Sequence, residues 1–224
     1  MYRKYPSIKV FLYTISISSS LISLGLYFTR KRKNTSLFFI LFYLIYSIAA
    51  DLFINTYLEK NSHLESLGYR TFTVIEYLLF AAFLLGIINS RTKYTYFGVF
   101  TILFLIASLI DFYISRKSAF DSLPLGLSAI LILSYCVYFL FEQIKNVSSQ
   151  AIYLNPSFWI VAGLILYFSG TFFIFILSQK YLNDPKFSNA FSYINFTFTT
   201  LRNILFSIAF LLKPQKENPT ISRN

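Results

Sequence analysis

The chain has 224 residues, of which 56% are hydrophobic, 21% aromatic and 13% charged. Soluble domains carry roughly 25% charged residues, so this composition excludes a disordered chain and indicates an integral membrane protein. Seven spans of about 20 residues would leave connections of only about ten residues each, whereas a folded domain needs about 50. We therefore expect an all-α, polytopic protein with a single membrane domain over 1–224 and no catalytic or binding domain outside the bilayer.

The net charge is +11, from 20 basic and 9 acidic residues. In a soluble protein this excess would suggest nucleic acid, but here it lies mainly in short segments between apolar runs, where basic residues set membrane orientation. We therefore expect membrane lipid around the chain and no nucleic-acid partner. The single histidine, His63, and the single cysteine, Cys136, are too few for the usual metal sites of membrane enzymes, so we expect no metal and no cofactor.

Seven apolar runs follow one another, none with the period-2 alternation of a membrane β-strand. The first ends in a basic cluster at 30–33 and is interpreted as a retained helix, not as a cleaved signal peptide. Pro156 opens the sixth run, as proline often does in a first helical turn. The predicted helices cover about 8–28, 36–57, 71–89, 94–114, 123–141, 157–178 and 190–212, and a short basic tail follows over 213–224.

The distribution of basic residues predicts the orientation of the chain. Ten Lys and Arg residues fall on the side of the tail and nine on the opposite side. The four-residue cluster at 30–33 is the densest of these and therefore the strongest cytoplasmic signal. We expect the N-terminus outside and the C-terminus in the cytoplasm.

Four charged residues, Asp51, Glu76, Asp111 and Arg202, lie inside the apolar runs or near their ends. A charge within a membrane span is energetically unfavourable by several kcal/mol, which makes such residues candidates for function. Asp51 lies about six residues before the predicted end of the second helix, and Glu76 about five after the predicted start of the third. Both are therefore predicted to lie at one depth in the outer half of the membrane.

Polar residues recur at helical spacing on three of the predicted helices. Such stripes are not tolerated against lipid, so each is predicted to face the interior of the bundle. The stripes are Tyr43, Ser47, Asp51 and Asn55 on the second helix, Thr73, Glu76 and Tyr77 on the third, and Ser192, Asn195, Thr199, Arg202, Asn203 and Ser207 on the seventh.

Two interpretations of this polar cluster stay open. In the first, the groups form an internal network that fixes helix packing. In the second, they bind a cation, an amine or a proton, because the two carboxylates of Asp51 and Glu76 outnumber the single guanidinium of Arg202. An Asp and a Glu also suggest a general acid and base, but a nucleophile or metal with matching geometry is missing. We therefore expect a protein that is not an enzyme.

Three segments carry a resemblance to a known class: NPSFWIVAGLILYFSGTFFIF at 155–175, VIEYLLF at 74–80 and RNILFSIAF at 202–210. They resemble the seven-helix membrane regions of many uncharacterised bacterial proteins, some of which continue into a sensor histidine kinase. The resemblance covers essentially the whole chain and implies a receptor-like module in a bacterial inner (plasma) membrane. It marks Glu76, Tyr167, Gly170 and Asn203 as motif residues without implying their roles.

About a dozen residues follow the seventh helix, without a phosphoacceptor histidine or an ATP-binding domain, so signalling is expected to need a cytoplasmic or membrane partner protein. We expect a sensor or accessory module for a small ligand or proton. A small-solute or proton-coupled transporter is the second interpretation, and a lipid-modifying membrane enzyme is the third. The candidate ligand-binding residues are Asp51, Asn55, Glu76, Tyr77, Tyr167, Asn195, Arg202 and Asn203.

Overall fold

The computed structural model describes residues 6–29, 35–54, 62–89, 93–114, 122–145, 152–181 and 184–212. Within these ranges the chain forms seven α-helices and a short 3₁₀ helix at Ile152–Leu154. All seven α-helices are long and apolar enough to cross a membrane, which confirms the predicted all-α, seven-span fold. They are α1 (Pro6–Thr29), α2 (Thr35–Phe53), α3 (Ser62–Ile87), α4 (Lys93–Ile114), α5 (Ser122–Lys145), α6 (Pro156–Tyr181) and α7 (Pro185–Leu211).

Among the described residues, three helix boundaries differ from the predicted ones by four residues or more. α3 begins at Ser62, nine residues before the predicted start at 71, because the helix continues past its apolar run into polar sequence. α7 begins at Pro185, five residues before the predicted 190: the Asp184 side chain accepts a hydrogen bond from the Lys186 N–H at 2.9 Å, and proline occupies the first helical position. α5 extends to Lys145, beyond the predicted 141. The predicted end of the second helix at 57 and the tail at 213–224 lie outside the described residues.

The helices alternate in direction, as successive membrane crossings require. Side-chain contacts along three seams show antiparallel pairs. One end of the bundle therefore holds the starts of α1, α3, α5 and α7, and we call it the α1-start face. The contacts are Ser36–Gly86 and Tyr46–Phe72 for α2–α3, Tyr77–Phe104 and Arg70–Phe112 for α3–α4, and Gly163–Phe206 and Tyr181–Phe187 for α6–α7.

Six helices pack side by side as a closed ring in the order α1, α2, α3, α5, α6 and α7, with α7 returning to α1. α4 packs on the outside of this ring, against α3 and α5. Apolar side chains such as Ile102 and Leu109 of α4 point away from the bundle and are exposed. This pattern is the one expected for a helix that faces lipid on most of its surface.

α6 and α7 approach closely at two glycines of α6. A Cβ atom on Gly170 would lie 2.3 Å from the ring of Phe198, and one on Gly163 would lie 3.3 Å from the carbonyl oxygen of Arg202. Small residues allow such close helix approach in membranes. Tyr167 lies between the two glycines in sequence, so this approach places Arg202 of α7 directly against it.

Candidate functional site

A cavity of about 170 Å³ lies inside the ring, lined by side chains from all six ring helices. Its deepest lining residues, Tyr43, Glu76 and Arg202, are almost completely buried. Toward the α1-start face the lining includes Tyr13 and Asp51, which are partly exposed. Within the described residues, the cavity therefore runs from the middle of the bundle toward the α1-start face.

The floor of the cavity holds a buried ion pair between α3 and α7. Arg202 Nη1 lies 3.5 Å from Glu76 Oε1, and the two residues are 2% and 3% exposed. Charges in a water-poor interior need an opposite charge nearby, since removing each from water is strongly unfavourable. Each residue therefore supplies the counter-charge that allows the other to be buried.

Two tyrosines hold this ion pair in place. The Arg202 Cζ atom lies 4.1 Å from the ring centroid of Tyr167 and 4.9 Å from that of Tyr43, within the range of cation–π attraction. The Tyr43 hydroxyl also donates a hydrogen bond to Glu76 Oε1 at 3.0 Å. Side chains from α2, α3, α6 and α7 thus meet at one point.

The floor is not saturated with hydrogen bonds. Arg202 Nε is buried and has no hydrogen-bond partner among the described residues. A buried donor left in this state is unfavourable by about 1–3 kcal/mol. The site therefore has an N–H group that an additional acceptor would satisfy.

The walls of the cavity carry further polar groups. Ser47 and Asp51 of α2 line it, as do Asn195 and Thr199 of α7. The Tyr167 hydroxyl donates to Asn195 Oδ1 at 3.4 Å, so the wall of α7 is linked to the floor.

The structure corrects the predicted common depth of the two carboxylates. Glu76 lies fourteen residues into α3 and contacts Tyr43. Asp51 lies eight residues beyond Tyr43 on α2, which is about 12 Å along a helix axis. Glu76 is therefore at the floor of the cavity, and Asp51 is on the wall nearer to the α1-start face.

Five of the eight candidate ligand-binding residues line the cavity, and two of the others face elsewhere. The Tyr77 hydroxyl lies 3.2 Å from Thr101 Oγ1 and 3.4 Å from the hydroxyl of Tyr135, so Tyr77 packs toward α4 and α5. Asn55 lies outside the described residues. The five that line the cavity are Asp51, Glu76, Tyr167, Asn195 and Arg202.

Asn203, the remaining candidate, belongs to the seam between α1 and α7. Its Nδ2 donates to Ser19 Oγ at 3.0 Å and to Ser20 Oγ at 2.8 Å, and its carbonyl oxygen accepts from Ser23 Oγ at 2.8 Å. These bonds fix α7 against α1 one residue away from Arg202. Asn203 therefore has a packing contact that holds the floor in position.

The roles of two residues were not predicted from the sequence: Tyr43 was not among the candidate ligand-binding residues, and Arg70 was not placed in a membrane-spanning helix. Tyr43 belonged to the predicted stripe on α2, but a tyrosine in an aromatic-rich helix gives no separate sign of contact with a charge. Arg70 directly precedes the predicted start of the third helix at 71, whereas it is inside α3 and buried, with its Cζ 5.6 Å from the ring centroid of Phe112 of α4. Arg70 does not belong to the cavity lining.

Among the described residues, no three His, Cys, Asp or Glu side chains lie close enough together to hold a metal ion. Comparison with protein-family models, with curated proteins and with solved structures finds no match for this chain. The resemblance to bacterial sensor regions therefore stays a prediction. The seven apolar helices are those of a multi-pass membrane protein, and its ring encloses a charged and aromatic cavity.

Proposed function

We propose that this protein is a receptor-like membrane module that binds a small ligand in the cavity and has no catalytic site of its own. The observation that supports this most is the Glu76–Arg202 pair at the floor of an open cavity. A network that served packing alone would be expected to lie in a filled interior, because protein cores are close-packed. A cavity of about 150 Å³ holds a benzene molecule, so the ligand has roughly six to eight non-hydrogen atoms.

Ligand binding would act on the contacts between α3 and α7. The Glu76–Arg202 contact is single and, at 3.5 Å, long for a charge-assisted hydrogen bond. A ligand that bonds to either side chain favours a different spacing of the two helices, and a ligand shifts an equilibrium only through such differential contacts. A partner protein would bind at the opposite end of the bundle and respond to the changed spacing of α3 and α7.

In this proposal the α1-start face lies outside a bacterial inner membrane and the opposite face is cytoplasmic. The basic cluster at 30–33, between α1 and α2, supports this orientation. Small ligands would then enter from outside, and a signalling partner would bind in the cytoplasm or membrane.

Thermal unfolding of the purified protein in detergent tests the proposal. The protein is screened against small amines, carboxylates and neutral polar compounds, together with Asp51→Asn on the cavity wall and Glu142→Gln as a carboxylate-to-amide control. Glu142 lies near the far end of α5, where it accepts hydrogen bonds from the Asn89 N–H. A ligand at 100 times its Kd stabilises the native state by about 2.7 kcal/mol.

We expect at least one compound to raise the Tm of the wild type and of Glu142→Gln by the same amount, with a smaller rise for Asp51→Asn. A screen in which no compound raises the Tm contradicts ligand binding and favours a network that only packs helices.

A small-solute or proton-coupled transporter is the second candidate, because a cavity open toward one face is also one state of an alternating-access cycle. Uptake of the stabilising compound into proteoliposomes separates the two candidates. Binding without uptake supports the receptor, whereas uptake that is reduced in Asp51→Asn and unchanged in Glu142→Gln supports the transporter.

A further inference from the structure

The two charges at the floor of the cavity balance each other. Arg202 Nη1 and Glu76 Oε1 lie 3.5 Å apart, and both side chains are almost completely buried. A cation bound against this pair would lie close to Arg202, and an anion would lie close to Glu76. Either ion would also lose its hydration, which is strongly unfavourable in a water-poor site. A neutral ligand avoids both the repulsion and the loss of hydration.

Aromatic rings form a large part of the cavity lining. The centroids of Tyr13 and Phe196 lie 5.6 Å apart, and those of Phe175 and Phe191 lie 6.0 Å apart. Rings favour tilted and offset contacts with other rings at centroid distances of about 4.5–7 Å. The rings that line the cavity are Tyr13, Tyr43, Tyr69, Phe72, Tyr167, Phe175, Phe191 and Phe196. The lining therefore favours a ligand that is mainly apolar and ring-shaped.

Four hydroxyl groups of the lining already donate hydrogen bonds within the protein. These positions offer no further donor to a ligand, so a molecule with many polar groups would lose hydrogen bonds to water on entering the cavity. The four bonds run from Tyr43 to Glu76 Oε1 at 3.0 Å, from Tyr167 to Asn195 Oδ1 at 3.4 Å, from Ser20 to the carbonyl oxygen of Ser16 at 3.2 Å, and from Thr73 to that of Tyr69 at 3.1 Å.

One donor at the floor has no acceptor. Arg202 Nε is without a hydrogen-bond partner among the described residues, although Arg202 lines the cavity. The atom is covered in this structure, so a ligand oxygen reaches it only when the guanidinium turns toward the cavity. That movement changes the 3.5 Å contact with Glu76, which is the contact that the proposed function makes sensitive to the ligand.

We infer that the ligand is a small neutral ring compound of roughly six to eight non-hydrogen atoms, with an oxygen atom that accepts a hydrogen bond from Arg202 Nε. The aromatic rings of the lining contact its carbon atoms. This inference rests on the proposed function, because it names the class of ligand for the same cavity.

The test uses cyclohexanone as the probe. Methylenecyclohexane has the same shape with a CH₂ group in place of the oxygen, and cyclohexylammonium and cyclohexanecarboxylate are the charged counterparts. Apparent affinities are taken from the dependence of the Tm on the free ligand concentration, which is measured because detergent micelles take up the hydrocarbon. We expect the ketone to bind roughly tenfold or more tightly than either ion, because the ions lose their hydration.

Arg202→Lys tests the hydrogen bond itself. The variant keeps a positive charge opposite Glu76 but has no Nε–H group. We expect it to weaken binding of the ketone roughly tenfold more than binding of the hydrocarbon, the size of effect for a hydrogen bond to a charged group. Arg70→Lys is the matched control, because Arg70 is buried in α3 but does not line the cavity, and it should change neither affinity.

Infrared spectroscopy of the wild type keeps the test decisive where Arg202→Lys does not fold. The carbonyl stretch of bound ¹³C-labelled cyclohexanone should lie at a lower wavenumber than in cyclohexane solution, because a charged N–H donor weakens the C=O bond. A bound ketone whose stretch equals the cyclohexane value would have no donor at its oxygen, and this would overturn the inference.

The other outcomes separate the inference from the proposal on which it rests. Equal losses of ketone and hydrocarbon binding in Arg202→Lys, or an ion that binds as tightly as the ketone, overturn the inference while ligand binding stands. The same holds if none of these four compounds binds but a compound of the thermal unfolding screen does. If no compound of either set binds, both the inference and the proposed function are overturned.

Discussion

Arg202 carries a positive charge into the middle of an apolar bundle, and its surroundings explain how the fold tolerates this. One carboxylate, Glu76, balances the charge, and the rings of Tyr43 and Tyr167 cover the guanidinium. The Tyr43 hydroxyl then holds the carboxylate in place. The charge, its counter-charge and both rings therefore act as one unit.

Neutralising both partners should destabilise the protein by less than the sum of the two single neutralisations. Glu76→Gln leaves the Arg202 charge buried without compensation, so we expect a loss of about 3–5 kcal/mol in the free energy of unfolding. Adding Arg202→Met removes that charge, and the double variant should lose less than the sum of the two single variants. Unfolding measurements on the double-mutant cycle test this. Strictly additive losses would mean that the two side chains do not interact.

Tyr43→Phe separates the hydroxyl from the ring. The variant keeps the aromatic contact with Arg202 but removes the donor to Glu76 Oε1, so we expect a loss of about 1.5–3 kcal/mol, the usual value for a hydrogen bond to a charged group. Tyr138→Phe, an exposed tyrosine on α5, is the control and should change the Tm little. Equal effects of the two substitutions would contradict the role of the Tyr43 hydroxyl.

The sequence identifies Glu76 and Arg202 as candidate site residues, because charges inside apolar runs are rare. It does not identify their partners. Adjacent residues on a helix point about 100° apart, so Glu76 faces the cavity while Tyr77 contacts Thr101 and Tyr135. Only the positions of the neighbouring helices decide which of the two lines the site.

Among the helices, the seam between α6 and α7 positions the site. Gly170 and Gly163 of α6 have no side chain where α7 packs against them. The ring of Phe198 and the backbone of Arg202 occupy the space that a Cβ atom would need. The position of Arg202 over Tyr167 therefore depends on residues that do not themselves line the cavity.

Gly170→Ala should disrupt this seam. The new methyl group would lie 2.3 Å from the Phe198 ring, and we expect overpacking to destabilise the protein by about 1–3 kcal/mol. Gly98→Ala on α4 is the matched control, since nothing lies within 4 Å of a Cβ there, and its better helix propensity should leave stability equal or higher. Phe198→Leu should partly restore the Gly170→Ala variant. Equal Tm values for the two alanine variants would show that the seam is not tight.

Helix ends were predictable only where the signal was local. Asp184 and Pro185 form a recognisable helix start that the apolar pattern alone overlooked. The start of α3 at Ser62 also carries a local signal, the Ser-x-x-Glu pattern at 62–65, and the apolar pattern overlooked it too, because the first residues of this helix, up to Arg70, are largely polar. Hydropathy marks the apolar span and not the full length of the helix.

For the molecule as a whole, closure of six helices into a ring creates the cavity. Hydropathy predicts the seven helices. It does not predict which helices pack against each other, because every helix presents a similar apolar surface. The ring depends on contacts between helices far apart in sequence, such as α1 with α7, where Ser23 and Ser207 bond at 2.8 Å. The sequence therefore predicts a cluster of polar residues inside the bundle, but not the position, volume or opening of the cavity that they line.

Reaction of introduced cysteines with a charged, membrane-impermeant thiosulfonate reagent tests whether the ring encloses a cavity that is open to one side of the membrane. Ser47→Cys lies on the cavity wall, and Ser134→Cys lies on the exposed outer surface of α5, which faces lipid. The native Cys136 is fully buried, so the wild type gives the background. We expect Ser47→Cys in membrane vesicles to react only when the reagent is applied from the α1-start face, and Ser134→Cys not to react. A Ser47→Cys variant that reacts no faster than Ser134→Cys, or that reacts only from the opposite face, would contradict a cavity that opens at the α1-start face.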